Sequence, residues 1–252
     1  MGTGSVSAFG LTVAAGTFLT VYVLGKPLIG HSARLLAERT SLNGRYTPIE
    51  SYSVIRTILV IALQVVVITT LLLHFRNLSL PAVSADLTLG LLVPGVALGI
   101  TEMTCFGVAA EYVIGAYNVA ARHSRFGSVP PSVWMDSSRA GWMGQLHVAI
   151  RVMPGPTGPI LVCLQVACEE VMFRHCFPLL IGGAVTGPVV SGALFVGMQA
   201  TGMPRARSAV FPMVGAGIMA AVHSALYSRT GQLLPLVVAH AACFLLASRA
   251  HR

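Results

Sequence analysis

Charge is scarce in this sequence, and lysine is scarcer still. Only 10% of the 252 residues are charged, eight are acidic, and Lys26 is the sole lysine among 16 basic side chains. Soluble domains carry about 25% charged residues, so that class is excluded. A content of 55% hydrophobic residues and a mean hydropathy of +0.78 point instead to a chain that crosses a bilayer several times. Cysteine pairing is missing too. Cys105, Cys163, Cys168, Cys176 and Cys243 are odd in number, lack any Cys-x-x-Cys spacing and lie in or beside apolar runs, so they read as small core hydrophobes. Met1 to Leu24 has no charged side chain and therefore lacks the basic start of a secretory signal, which makes it the expected first span. Val6 stands where a myristoylation site needs Ser or Thr. No internal repeat, low-complexity tract or paired set of broken spans occurs, which weakens a proton-coupled transporter as an alternative.

What is present fits an all-α, polytopic membrane protein. At roughly 20 residues per crossing, the length accommodates about eight transmembrane helices. Apolar runs place them near residues 8–25, 54–75, 87–101, 105–121, 159–180, 185–200, 209–227 and 232–248. The stretch 87–121, interrupted by Glu102 and Glu111, is either two short spans or one long tilted one. A polar loop runs from Lys26 to Ser53. The organisation is then N-terminal helices over 1–121, a connecting segment over 122–158 rich in Pro, Ser and Gly, and a core of four helices over 159–252. A short interfacial helix is expected around 140–152, with Trp134 and Trp142 at the headgroup level. The net charge of +8 sits mostly in connecting loops, where membrane topology accounts for it and nucleic acid need not be invoked.

One run breaks the apolar pattern in the middle of a span: Cys168-Glu169-Glu170-Val171-Met172-Phe173-Arg174. Ionised groups at bilayer depth cost several kcal/mol unless paired or wetted, so they are candidates for function by default. Helix geometry separates the two acids. Glu170 and Arg174 are four residues apart and share a face, whereas Glu169 points about 100° away. Glu170 can be neutralised by Arg174; Glu169 has no charge partner in its own helix and is the better candidate for a general base. The alternative is a buried ion pair that fixes helix register, with Glu169 hydrogen-bonded to a neighbouring span. Glu102 and Glu111 are expected to cap loops or pair with a basic neighbour, and His223 to bond a backbone carbonyl or another helix.

Further along come Phe195-Val196-Gly197-Met198-Gln199 and Arg229-Thr230-Gly231 leading into His240. Taken in order with Glu169-Glu170-x-x-x-Arg174, over roughly residues 159–248, these resemble the CAAX-protease and bacteriocin-processing (CPBP) family of intramembrane endopeptidases, which includes the type II CAAX prenyl endopeptidases. The resemblance implies that Glu169 activates water, that Glu170 and Arg174 support it, and that Gln199 and His240 complete the site. Two positions depart from the family. Gln199 stands where a histidine holds the water, and Phe244 stands where an asparagine, with His240, donates to the oxyanion. A glutamine amide orients water but does not exchange protons near neutral pH, and phenylalanine offers no donor. Two functions follow as expectations: a glutamate-dependent endopeptidase acting on hydrophobic or lipidated peptides, or a pseudoenzyme that serves as a scaffold or component of a larger membrane complex. Neither calls for a cofactor. With Glu169, Glu170 and His240 as the available ligands, a metal is not expected. The expected partners are the lipid bilayer, a membrane-embedded or lipidated peptide, and other membrane subunits.

Overall fold

The computed structural model describes residues 6–39, 46–75, 78–79, 89–121, 141–201, 203 and 206–249. Among these the chain forms eight helical rods and no strand: α1 Ala8–Arg39, α2 Pro48–His74, α3 Leu89–Ala121, α4 Trp142–Val152, α5 over residues 157–181, α6 Thr186–Ala200, α7 Ala206–Thr230 and α8 Leu234–Arg249. Four helices, in α1, α2, α3 and α7, are long and apolar enough to cross a membrane. Large apolar side chains such as Leu73, Val93, Val119 and Val189 face outward, as the surface of a lipid-embedded protein requires.

One choice left open by the sequence is settled, and two elements differ from the sequence expectation. The stretch 87–121 is one helix, Leu89–Ala121. At about 1.5 Å per residue it is about 50 Å long, well beyond the ~30 Å hydrocarbon core. Lys26 lies inside α1 rather than at the start of a loop. The second helix begins at Pro48 rather than near 54, because Thr47 and Glu50 form a capping box: Glu50 N donates to Thr47 Oγ1 (3.3 Å) and Thr47 N to Glu50 Oε2 (2.9 Å). Residues 122–140 of the expected connecting segment, with Trp134, lie outside the described residues; the rest of it holds α4.

Two helices survive an internal proline by the same device. In α1 the turn Leu19–Gly25 is π-helical and ends just before Lys26-Pro27; in α5 the turn Val171–Cys176 is π-helical and ends just before Phe177-Pro178. A proline ring has no N–H for the helical ladder and clashes with the turn before it, and both π turns stand at the turn before such a ring. The two π turns also pack on each other. Tyr22 Oη donates to Met172 Sδ (3.3 Å), and the Tyr22 and Phe173 rings lie 5.6 Å apart. Ser191 of α6 donates to the Phe173 carbonyl within the second π turn.

Helix α5 is central, packed against α1, α2, α4, α6 and α8. Helices α3 and α8 come close through Gly95 and Gly99, one turn apart, where an added Cβ would meet the backbone of Pro235 and Ala239. Such small-residue contacts are how membrane helices approach without bulky side chains between them. The crossing sets Glu102, the next turn of α3, beside the helix that carries His240.

Candidate functional site

Glu169 and Glu170 are the last two residues of the α-helical part of α5, and Arg174 is in the π turn that follows. Glu170 is 0% exposed and Arg174 1%. Arg174 Nε donates to Glu170 Oε2 at 3.3 Å, and its guanidinium carbon lies 4.5 Å from the centre of the Phe195 ring, a cation–π contact. Two histidines from other helices complete the shell around the same carboxylate. His240 Nδ1 donates to Glu170 Oε1 at 2.8 Å, and His223 Nδ1 lies 3.0 Å from Glu170 Oε2. The far side of His223 meets a second acid, with Nε2 3.0 Å from Glu102 Oε1. One network therefore joins α3, α5, α7 and α8. An arginine and two imidazoles around one carboxylate meet the requirement that a buried charge be paired and hydrogen-bonded.

Glu169 faces elsewhere. It is 6% exposed and accepts a hydrogen bond from Gln165 Nε2 (3.2 Å), one turn earlier. Beside it lies a cavity of about 20 Å³ lined by Glu169, Gln165, Gln199, Lys26, Arg56 and Trp142 among others. That volume admits about one water molecule. Lys26 Nζ donates to Thr201 Oγ1 (3.1 Å) and the Met198 carbonyl (3.4 Å), and it sits 5.3 Å and 5.9 Å from the ring centres of Tyr22 and Trp142. Arg56 is held by Gln145 of α4.

A second cavity, of about 80 Å³ and mostly apolar, opens on the other side of Gln199. His240, Phe195, Phe244, Phe106, Met219 and Trp142 are among its walls. Trp142 and Gln199 line both spaces, and Trp142 Nε1 donates to the Gln199 carbonyl (3.2 Å). The His240 ring stacks on Phe244 (5.3 Å), which meets Trp142 edge-on (5.8 Å).

The five residues that the resemblance groups into one site, Glu169, Glu170, Arg174, Gln199 and His240, do not border one common cavity. Glu169 shares a space with Gln199, and Gln199 shares another with His240. Glu170 is enclosed by its partners, and Arg174 borders a third cavity of about 390 Å³ with His175 and Tyr227. The cause is the turn of about 100° between successive helix residues, which sends adjacent carboxylates to different neighbours. Trp142, expected at the headgroup level, is 8% exposed and forms the partition. His223 is bonded to neighbouring helices, as its burial demanded, but between two acids rather than to a backbone carbonyl. Among the described residues no group of three or more His, Cys, Asp or Glu is arranged to hold a metal.

Sequence reasoning did not reach Lys26, Arg56, Gln165 or Trp142 as site residues, nor Glu102 and His223 as a pair. Two signals were present: a lone lysine flanking an apolar span, and Gln165 at i−4 from Glu169.

Residues 152–246 match the family model described as Type II CAAX prenyl endopeptidase Rce1-like. This relates the C-terminal part of the chain, which carries Glu169, Glu170, Arg174, Gln199 and His240, to the CAAX-protease family. Lys26, Arg56 and Glu102 lie outside the matched segment. No curated protein and no solved structure matches the chain.

Proposed function

We propose that this protein is a multi-pass intramembrane endopeptidase of the type II CAAX kind, with Glu169 as its general base and a hydrophobic or prenylated peptide as its substrate. The observation that carries the proposal is the pairing of two spaces across one wall. A polar, water-sized cavity lies at Glu169, and an apolar one lies beyond Gln199 and Trp142. Water held between the Glu169 carboxylate and the Gln199 amide loses its proton to Glu169 as it attacks. The apolar cavity receives the greasy part of the substrate. Gln199 both donates and accepts, so it orients the water without sharing the proton. Glu170, Arg174, His223 and Glu102 hold the helices in register around the reacting groups.

A second reading has its own support. Phe244 stacks on His240 where an asparagine is the family habit, and Gln199 replaces a histidine; in that case the fold serves as a scaffold within a membrane complex. Purified protein in proteoliposomes, offered a farnesylated peptide with a CAAX terminus, separates the two. Hydrolysis that falls on the order of 100-fold to 10,000-fold in Glu169→Gln supports the enzyme. No hydrolysis by the wild type, with Glu169→Gln fully complementing a deletion strain, establishes the scaffold.

A further inference from the structure

The site, as the family resemblance describes it, keeps His240 but lacks the second oxyanion donor, because Phe244 has none to offer. We infer that Lys26, the sole lysine of the chain and a residue of the N-terminal helix, supplies the missing donor and stabilises the oxyanion with its charge. The inference rests on the proposed hydrolysis. Lys26 lines the same small cavity as Glu169 and Gln199. An ammonium group has three N–H donors, and two of them are engaged among the described residues, by Thr201 Oγ1 and the Met198 carbonyl. Those bonds anchor the group at the end of α6, one residue from Gln199, and leave a donor for the cavity. Tyr22 and Trp142 flank the ammonium, and a fixed charge aimed at the place where negative charge develops stabilises it strongly. The π turn Leu19–Gly25 directly precedes Lys26 and sets its angle on the helix.

The chemical step balances without any further reagent. Water oxygen bonds to the scissile carbonyl carbon while its proton passes to Glu169. The carbonyl π pair moves to oxygen, where the Lys26 ammonium holds the charge. On collapse the C=O re-forms, the C–N bond breaks, and the proton on Glu169 passes to the leaving nitrogen, which yields a carboxyl group and an amine.

A purely structural lysine, seated at the C-terminal end of α6 to favour its dipole, is the rival assignment. Lys26→Met keeps an unbranched side chain one atom shorter and removes the charge; Lys26→Arg keeps the charge. Both are assayed with the farnesylated CAAX peptide after thermal unfolding confirms that they fold, and Lys26→Gln replaces Lys26→Met should the latter fail to fold. The expected result is a loss in kcat on the order of 100-fold for Lys26→Met with KM changed less than about 3-fold, and recovery of at least about 10-fold in Lys26→Arg. A kcat within about 3-fold of wild type, a loss confined to KM, or an arginine variant no better than methionine overturns it. If Glu169→Gln cleaves as fast as wild type, the reaction itself is wrong and the role of Lys26 falls with it. If Glu169→Gln is inactive and Lys26→Met is fully active, the Lys26 assignment alone is lost.

Discussion

Glu169 and Glu170 adjoin each other on one helix, yet their surroundings have little in common. The carboxylate of Glu170 has Arg174, His223 and His240 within 3.3 Å and no exposure at all. Among the described residues Glu169 accepts a side-chain hydrogen bond from Gln165, and it borders a space the size of a water molecule. The first carboxylate is enclosed by three basic side chains; the second faces a cavity. Helix geometry gives two adjacent acids different neighbours, and the function proposed above assigns the reactive role to Glu169 and the structural one to Glu170.

The largest test of that division removes Arg174. Arg174→Ala takes the guanidinium from the fully buried Glu170 and leaves it to its two imidazole partners, and is expected to lower unfolding stability by about 3 kcal/mol, whereas Glu169→Gln, which keeps an acceptor for Gln165, is expected to cost less than about 1 kcal/mol. Thermal or denaturant unfolding of both variants in the same detergent decides it. Equal losses, or a weaker Glu169 variant, mean that the structural and reactive roles are assigned to the wrong acids.

A smaller effect is expected from the helix crossing that delivers Glu102. Gly99→Val puts side-chain atoms where the Ala239 backbone lies, and overpacking of this kind typically costs about 1–3 kcal/mol. The same unfolding assay reads it. Moving α3 off α8 also loosens the Glu102–His223 contact, so Gly99→Val and Glu102→Gln should be less than additive when combined. Full additivity would place the glycine contact and the acid network in separate units.

The smallest effect is the coupling across His223 itself. A double-mutant cycle of Glu102→Gln and His223→Phe is expected to give an interaction energy on the order of 1 kcal/mol, because each partner stabilises the other's buried charge. A coupling near zero would show that His223 answers to Glu170 alone.

Much of the helical layout was legible because it is local. The runs around 159–180, 185–200, 209–227 and 232–248 lie within a few residues of α5 to α8, since apolar length and the flanking Pro and Gly residues define both ends. The Arg229-Thr230-Gly231 turn closes α7, with Gly231 at φ +67° and its N–H on the Tyr227 carbonyl (2.8 Å). Lys26 was misplaced for an equally local reason. A Lys-Pro dipeptide after an apolar run reads as a helix end, and nothing in a pattern of residue types shows that a π turn lets the helix continue.

The sequence by itself determined the class of the protein, the i,i+4 pairing of Glu170 with Arg174 and, through motif order, the residues worth suspecting. It did so because hydropathy, helix period and short spacings act within a few turns of chain. Tertiary structure alone decided that His240, 70 residues away, bonds Glu170, that Glu102 is tied to His223 across 121 residues, and that Lys26 reaches the cavity of Glu169 from a helix outside the matched segment. Buried polar groups take whichever partners the packing of neighbouring helices presents, and that choice depends on crossings such as the one at Gly99 rather than on any spacing along the chain.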